Sequence, residues 1–141
     1  MLVRMNPDVR LTSAMLELLE RRVAREAPER KRYADFFRFS PDAYLISGAD
    51  GRITEMNAAA TALLGVSHQY LQGKSLVNFI TLKGRREFRT QLNQLQAAGE
   101  GGAARWLTRL QTRRQKVEVE VSVRAIGEPA SGGFAWLLRP V

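Results

Sequence analysis

Side chains that could perform catalysis are sparse in this sequence. The chain contains no cysteine and one histidine, His68, so it lacks a thiol nucleophile and offers at most one imidazole as a general base. No second metal-ligating side chain accompanies His68 and its neighbours are polar, which indicates an exposed histidine and not a metal ligand. The carboxylates of Asp42, Asp50 and Glu55 fall at predicted turn or strand edges, where solubility explains them. The sequence therefore predicts a protein that is not an enzyme and binds no metal.

Apolar side chains, in contrast, recur at positions that should face the inside of a folded domain. A space between a sheet and its covering helices would be lined by Leu45, Ile53, Leu64, Ile80, Phe88, Leu92, Leu107 and Trp136. A plain hydrophobic core is the interpretation that we favour for these residues. A pocket for a small, noncovalently bound organic ligand, as in a carrier protein, is the alternative that the sequence leaves open.

The composition is that of a globular protein with room for one domain and an attached helix. The 141 residues are 45% hydrophobic and 26% charged. No apolar run approaches the roughly 20 residues needed to cross a bilayer, and the N-terminus lacks the apolar core of a secretory signal. The absence of cysteine, and therefore of disulfides, fits the cytoplasm. We therefore expect a cytoplasmic protein without a membrane partner.

The formal net charge of +8 raises the alternative of a nucleic-acid-binding regulatory domain that uses its basic surface. Residues 1–34 hold eight Lys and Arg against five Asp and Glu, a net of +3, and residues 35–141 hold fourteen against nine, a net of +5. The short basic clusters at 30–32, 83–89 and 113–116 are more typical of solvated faces than of a nucleic-acid site. We therefore do not expect a nucleic-acid partner; salt-dependent binding to duplex DNA would mark this alternative.

A hairpin followed by a capped helix organises the middle of the chain. Residues 43–47 are apolar and favour a strand, and Asp50-Gly51 predicts a tight turn from which a second strand runs back. Asn57 precedes three alanines, where its side-chain oxygen can cap the first free amides of a helix. Gly65 fits the left-handed residue that ends this helix.

This part of the chain resembles the first half of a PAS domain. The residues that match the family pattern are Pro41, Asp42, Asp50, Gly51, Ile53, Asn57, Ala60, Leu64, Gly65, Leu71, Gly73 and Lys74. The structural residues of the family motif would be Asp50, Gly51, Asn57, Gly65 and Gly73. The resemblance extends to about residue 139 and implies a sensory and protein–protein interaction module of a bacterial signal-transduction or regulatory protein. Such modules are joined to an effector, so we expect this chain to be part of a longer regulator.

The same resemblance bears on cofactors. The subclasses that form a flavin adduct or bind coumarate use a cysteine, which this chain lacks. The haem-binding subclass carries a histidine on the long helix, and residues 83–98 contain none. We therefore expect neither haem nor cysteinyl flavin, whereas noncovalent flavin or another small ligand remains open.

The rest of the chain predicts one long helix and three strands. Phe88, Leu92 and Leu95 recur at helical spacing within residues 83–98. Strands are predicted at 104–111, 116–126 and 134–139, the middle one with strict alternation of valines and polar residues. These elements predict an α+β fold, in which a single PAS-like domain has a five-stranded antiparallel sheet with helices on one face. In the PAS arrangement the first strand lies between the second and the last.

An amphipathic helix is predicted ahead of this domain, beginning near Asn6 and ending before Pro28. Its apolar stripe consists of Leu11, Met15, Leu18, Leu19 and Val23. The chain then divides into an N-terminal helical extension, residues 1–34, and a PAS domain, residues 35–141. Because the stripe must be buried, we expect a homodimer with this helix as its interface; packing on the domain's own sheet is the alternative. A ligand- or partner-dependent change in dimer packing would then carry the signal to an effector.

Overall fold

The computed structural model of the chain describes residues 31–32, 34–99, 101–127 and 132–141. The residues from Phe37 to Val141 belong to one compact unit. The predicted N-terminal helix lies outside the described residues, and so does its expected interface of Leu11, Met15, Leu18, Leu19 and Val23. Residues 31, 32 and 34–39 are helical and precede the first strand.

Five strands form one antiparallel sheet. They are β1 (Ala43–Gly48), β2 (Ile53–Met56), β3 (Ala103–Gln111), β4 (Lys116–Ile126) and β5 (Gly133–Pro140). Their order across the sheet is β2-β1-β5-β4-β3, so the first strand lies between the second and the last. The predicted sheet and its strand order are therefore confirmed, with strand ends that differ from the predicted ones by one residue at most.

Three further helices lie between β2 and β3 in the chain. They are α1 (Ala58–Leu64), α2 (His68–Leu71) and α3 (Arg85–Ala98), with two 3₁₀ turns at Leu76–Phe79 and Leu82–Gly84. The long helix was predicted to begin at Lys83, but it begins at Arg85 because residues 82–84 form a separate 3₁₀ turn. Phe88 and Leu95 of α3 belong to the same core as the buried residues of the sheet.

Strand β4 shows how the sequence pattern selects the buried face. Val119, Val121 and Val123 are buried, whereas Glu118 is exposed and Glu120 is partly exposed. Successive side chains of a strand point to opposite faces, so the period-two pattern places the valines under the helices and the carboxylates on the outer face.

The turn between β1 and β2 depends on a left-handed glycine. Gly51 has φ of +85°, and its N–H donates to the carbonyl of Gly48 at 3.0 Å. The carboxylate of Asp50 accepts from the N–H of Arg52 at 3.0 Å, which closes the turn. The predicted Asp-Gly turn is therefore confirmed.

Replacing Gly51 with valine should lower the free energy of unfolding by about 1–3 kcal/mol, because a β-branched residue is strained at positive φ. Urea denaturation followed by circular dichroism measures this change. Ala49→Val is the matched control, since Ala49 is an exposed residue of the same turn and positive φ is confined to glycines among the described residues. An unchanged midpoint for Gly51→Val would contradict the argument from backbone strain.

Candidate functional site

Most of the residues predicted to line the interior lie between the sheet and the helices. Leu45, Ile53, Leu64 and Ile80 are completely buried. Phe88 and Trp136 are 1% exposed, and Leu92 is partly buried against the same cluster. Seven of the eight predicted residues thus belong to one apolar cluster that joins β1, β2, β5, α1 and α3.

Leu107 does not belong to this interior, and its assignment as a lining residue is wrong. Its side chain is 68% exposed, whereas those of Trp106 and Leu110 on the same strand are buried. Because neighbouring side chains of a strand point to opposite faces, the burial of Trp106 and Leu110 requires Leu107 to face outward. The alternation along β3 is visible in the sequence and would have selected Trp106 in place of Leu107.

Three aromatic rings fill the middle of the interior. The ring of Phe88 stacks on that of Trp136 with centroids 5.2 Å apart and an interplanar angle of 10°. Trp106 meets both edge-on, with centroids 6.1 Å from Phe88 and 6.4 Å from Trp136. Offset-stacked and edge-to-face pairs are the favoured arrangements of aromatic rings. This cluster, Phe88, Trp106 and Trp136, is called the aromatic triad below, and it connects α3 to β3 and β5.

The two indoles of the aromatic triad differ in how their N–H groups are satisfied. Nε1 of Trp136 donates to Oγ of Ser47 at 2.7 Å, and this hydroxyl donates to the carbonyl of Gly48 at 3.0 Å. Nε1 of Trp106 is buried and has no hydrogen-bond partner among the described residues. The interior can therefore offer apolar contact and one indole donor. The sequence patterns missed Ser47, since its partner Trp136 lies 89 residues further along the chain.

Asn57 lies at the N-terminus of α1, and all of its side-chain hydrogen-bonding groups have partners. Its Oδ1 accepts from the N–H of Ala60 at 3.0 Å and from the N–H of Tyr44 at 3.1 Å. Its Nδ2 donates to the carbonyls of Phe37 at 2.9 Å and Asp42 at 2.8 Å. The predicted helix cap is present, and the same side chain also ties β1 and the segment before it to α1.

The remaining motif glycines adopt the left-handed conformations that turns require. Gly65 follows α1 with φ of +71°, and its N–H donates to the carbonyl of Thr61 at 2.9 Å. Gly73 has φ of +78°, and its N–H donates to the carbonyl of Ile53 at 2.8 Å. Both glycines, like Gly51, therefore serve to turn the backbone.

A family model described as the PAS fold matches residues 31–141. The chain belongs to the PAS family. A search of curated proteins found no match.

Solved structures with the same fold include PAS domains from several signalling proteins. One is the PAS domain of an HTR-like protein from Haloarcula marismortui, with 24% identity, a TM-score of 0.72, and coverage of 86% of this chain and 99% of that one. Another is a domain of a sensory box sensor histidine kinase/response regulator from Geobacter sulfurreducens, with 18% identity, a TM-score of 0.65, and coverage of 79% and 93%. A PAS domain from Colwellia psychrerythraea has 22% identity, a TM-score of 0.66, and coverage of 79% and 95%.

A small cavity lies at one end of the PAS interior. It has a volume of about 60 Å³ and lies between α3 and the ends of β4 and β5, next to Leu95, Ala125 and Phe134. This volume admits water but is well below the roughly 300–1,000 Å³ typical of pockets for small organic ligands.

The residues of the PAS interior do not fit a haem group. His68, the only histidine of the chain, is exposed at the start of α2, and α3 presents no imidazole to the interior. Within the part of the chain that the structure describes, no cluster of three His, Cys, Asp or Glu could hold a metal ion. Trp106 and Trp136 are 9% and 1% exposed, so neither indole is available to stack on a nucleobase. Among the described helices, none is both long and apolar enough to cross a membrane.

Proposed function

We propose that this chain is a sensory and protein–protein interaction module of a bacterial signal-transduction or regulatory protein, without catalytic activity of its own. The observation that carries this proposal is the match of the PAS family model to residues 31–141. The likeness to a domain of a sensor histidine kinase/response regulator supports a role beside an effector, such as a kinase or another output domain. The working partners would then be a second copy of the chain and a downstream effector.

The aromatic triad is the part of the domain that we expect to respond to a signal. Phe88 on α3 stacks directly on Trp136 of β5, so a change in the position of either ring moves the helix relative to the sheet. Packed interiors switch between discrete arrangements more readily than they deform continuously. A small ligand or a bound partner could therefore select one arrangement of the triad, and the dimer packing would follow it.

We propose that the interior holds no haem and no flavin. Purified protein should be colourless, because the chain has no cysteine for a flavin adduct and its single histidine is exposed. An absorbance spectrum recorded after gel filtration tests this expectation. A visible band at near one chromophore per chain would contradict it, and extraction of the pigment would identify the cofactor.

The N-terminal stripe should hold the chain as a homodimer. Replacing Leu18 with arginine removes an apolar contact and places a charge in the stripe, so the dissociation constant should rise at least about tenfold. Sedimentation velocity over a range of micromolar concentrations measures this constant. Glu17→Arg is the matched control, because it introduces the same side chain on the polar face of the predicted helix. A monomeric wild-type chain would contradict the proposal, as would equal effects of the two substitutions.

The sensory part of the proposal is tested by disturbing the interior without touching the stripe. Ser47→Ala removes the acceptor of Trp136 Nε1 and leaves a buried donor without its partner, which should loosen the aromatic triad. Both tryptophans of the chain belong to the triad, so intrinsic fluorescence reports its rearrangement directly. If the interior communicates with the dimer, the same variant should also change the dimer dissociation constant. A shifted emission spectrum with an unchanged dissociation constant would contradict this coupling.

A further inference from the structure

The two edges of the sheet are protected to different extents. At the β2 edge, the N–H of Ile53 donates to the carbonyl of Lys74 at 2.8 Å, and the carbonyl of Ile53 accepts from Gly73 at 2.8 Å. The N–H of Leu76 donates to the carbonyl of Gly51 at 3.0 Å. The segment that follows α2 therefore covers the outer hydrogen-bonding groups of Gly51 and Ile53, at the start of this short strand, which an unprotected edge strand would present to other chains.

At the β3 edge the cover is confined to the end of the strand, where an isolated antiparallel bridge pairs Ile80 with Leu110. The carbonyl of Arg109 accepts from the N–H of Thr81 at 3.0 Å, so residue 109 directs its backbone groups away from β4. Alternate residues of an antiparallel strand point their N–H and C=O groups the same way, so Leu107 and Arg105 also direct theirs outward. Among the described residues, no hydrogen bond reaches the backbone N–H or C=O of Leu107 or Arg105.

A groove that contains two exposed leucines adjoins this open part of the edge. It has a volume of about 1030 Å³ and runs between β3 and the 3₁₀ turn at Leu82–Gly84. Leu82 is 79% exposed and Leu107 is 68% exposed, and both line the groove. Large apolar side chains grouped at an exposed groove indicate an interaction surface more strongly than scattered ones do.

The charged residues of the groove indicate the sign of the net charge of a partner that binds there. Its lining contains four basic residues and two acidic ones, namely Lys83, Arg85, Arg109, Lys116, Glu87 and Glu118. Arg109 is paired with Glu118 at 2.9 Å. Lys83 and Lys116 form no ion pair with any described residue, so their ammonium groups are available to a partner.

We propose that the β3 edge binds an extended acidic segment of a partner protein as a sixth strand. The segment would pair with the backbone groups of Arg105 and Leu107, place apolar side chains on Leu82 and Leu107, and direct carboxylates towards Lys83 and Lys116. Addition of a strand to an open edge uses main-chain hydrogen bonds for affinity and side-chain contacts for specificity. The inference deepens the proposed function, on which it rests, by giving the chemistry of the partner and the surface that receives it.

Two other occupants fit the same groove less well. The chain's own residues 1–34 carry a net charge of +3, which opposes binding to a basic groove. A nucleic acid would leave the two exposed leucines without apolar contacts and the open backbone groups of the edge without a paired strand. An acidic peptide satisfies the open backbone groups, the leucines and the lysines together.

The test uses the full chain and a short synthetic peptide of glutamate and valine, arranged so that each face of the bound strand carries both residue types. Amide hydrogen exchange measured by NMR should show slower exchange at Arg105 and Leu107 when the peptide is added. The same peptide with lysine in place of glutamate should bind at least about tenfold more weakly, because its charges repel the groove. A peptide methylated at alternate backbone nitrogens should not protect these amides, because it lacks the donors that pair with the edge.

Substitutions in the groove separate this surface from the rest of the sheet. Leu107→Glu should weaken peptide binding about tenfold, because it removes the apolar contact and adds a repelling charge. Ile126→Glu is the matched control on the same outer face, roughly 20 Å further along β4 from the residue that pairs with Leu107. This control should bind the peptide as the wild type does. If Leu107→Glu fails to fold, the exposed Lys83→Glu and Lys116→Glu variants provide the same test.

Several results would overturn the proposal. One is the absence of any binding by the acidic peptide, and a second is equally strong binding by the lysine peptide. A third such result is full protection of the amides of Arg105 and Leu107 in the free chain, which would show that another segment of the chain covers the edge. Perturbation of the same amides by duplex DNA but not by the peptide would assign the groove to a nucleic acid. A chain that dimerises but does not bind the peptide fails only this inference, whereas a monomer that binds it fails only the dimer proposal.

Discussion

Replacing Asn57 with alanine should lower the free energy of unfolding by about 3–5 kcal/mol, because four backbone groups lose their partner at once. Asn57 is 2% exposed, so water cannot reach its site freely. The substitution leaves the N–H groups of Tyr44 and Ala60 and the carbonyls of Phe37 and Asp42 unpaired. Loss of a helix cap alone typically lowers the free energy of unfolding by about 1 kcal/mol. Any loss beyond that amount would measure the hydrogen bonds of Asn57 to Tyr44, Phe37 and Asp42.

A second substitution separates the two roles of Asn57. Asn57→Asp keeps oxygen acceptors for Ala60 and Tyr44 but replaces the donating amide with an oxygen that faces two carbonyls. This variant should therefore retain the cap and still be destabilised. Urea denaturation measures both variants, and Asn78→Ala, at an exposed asparagine outside these bonds, is the control. A loss for Asn57→Ala no larger than that of an ordinary cap would refute the role of Asn57 as a tie between β1 and α1.

The sequence predicted the elements whose signals are local. The alternating valines of β4 select a face by themselves, and the Asn-Ala-Ala-Ala sequence at residue 57 places a cap beside the helix that it serves. The turn at Asp50-Gly51 is equally local, since glycine tolerates the positive φ that the turn needs. Such features follow from a few neighbouring residues, so they can be identified without knowing where other strands lie.

The candidate site was harder to predict because its contacts join distant parts of the chain. The second pair of bonds made by Asn57 reaches back to Phe37 and Asp42, which are 20 and 15 residues away. The bond between Ser47 and Trp136 depends on the pairing of β1 with β5, which spacing along the sequence does not reveal. Leu107 was misassigned for a different reason, since its apolar character was given more weight than the alternation along β3, which places it on the face opposite Trp106 and Leu110.

The β3 edge illustrates the same limit for function. The sequence shows basic clusters near residues 83–89 and 113–116, which alone favour solvated faces. Only the fold brings Lys83 and Lys116 to one groove and places Leu82 and Leu107 beside them. An interaction surface of this kind is composed of residues from separate elements, so its charge and its apolar content become visible together only after folding.

Replacing Gly133 with alanine should destabilise the domain by on the order of 3 kcal/mol or more. The added carbon would collide with backbone atoms, and no rotation of a side chain can relieve such a collision. Gly133 begins β5 and pairs with Gly48 on one side and Ile126 on the other. A Cβ at this position would overlap the carbonyl oxygen of Ser47 and lie 3.2 Å from the Cα of Gly48. Both obstacles are backbone atoms, so relief requires β1 to move away from β5.

This movement should also reach the aromatic triad, since the hydroxyl of Ser47 accepts from Trp136. Gly133→Ala is therefore expected to lower the urea midpoint and to shift the tryptophan emission of the folded protein. Gly48→Ala is the matched control, because a Cβ there would lie 3.0 Å from Oδ1 of Asp50, a side-chain atom that accepts from the N–H of Arg52, and would meet no backbone atom of another strand. Its emission should remain that of the wild type, and its midpoint should fall much less than that of Gly133→Ala. Equal destabilisation by the two substitutions would show that the loss of glycine itself, and not the contact with Ser47, determines the effect.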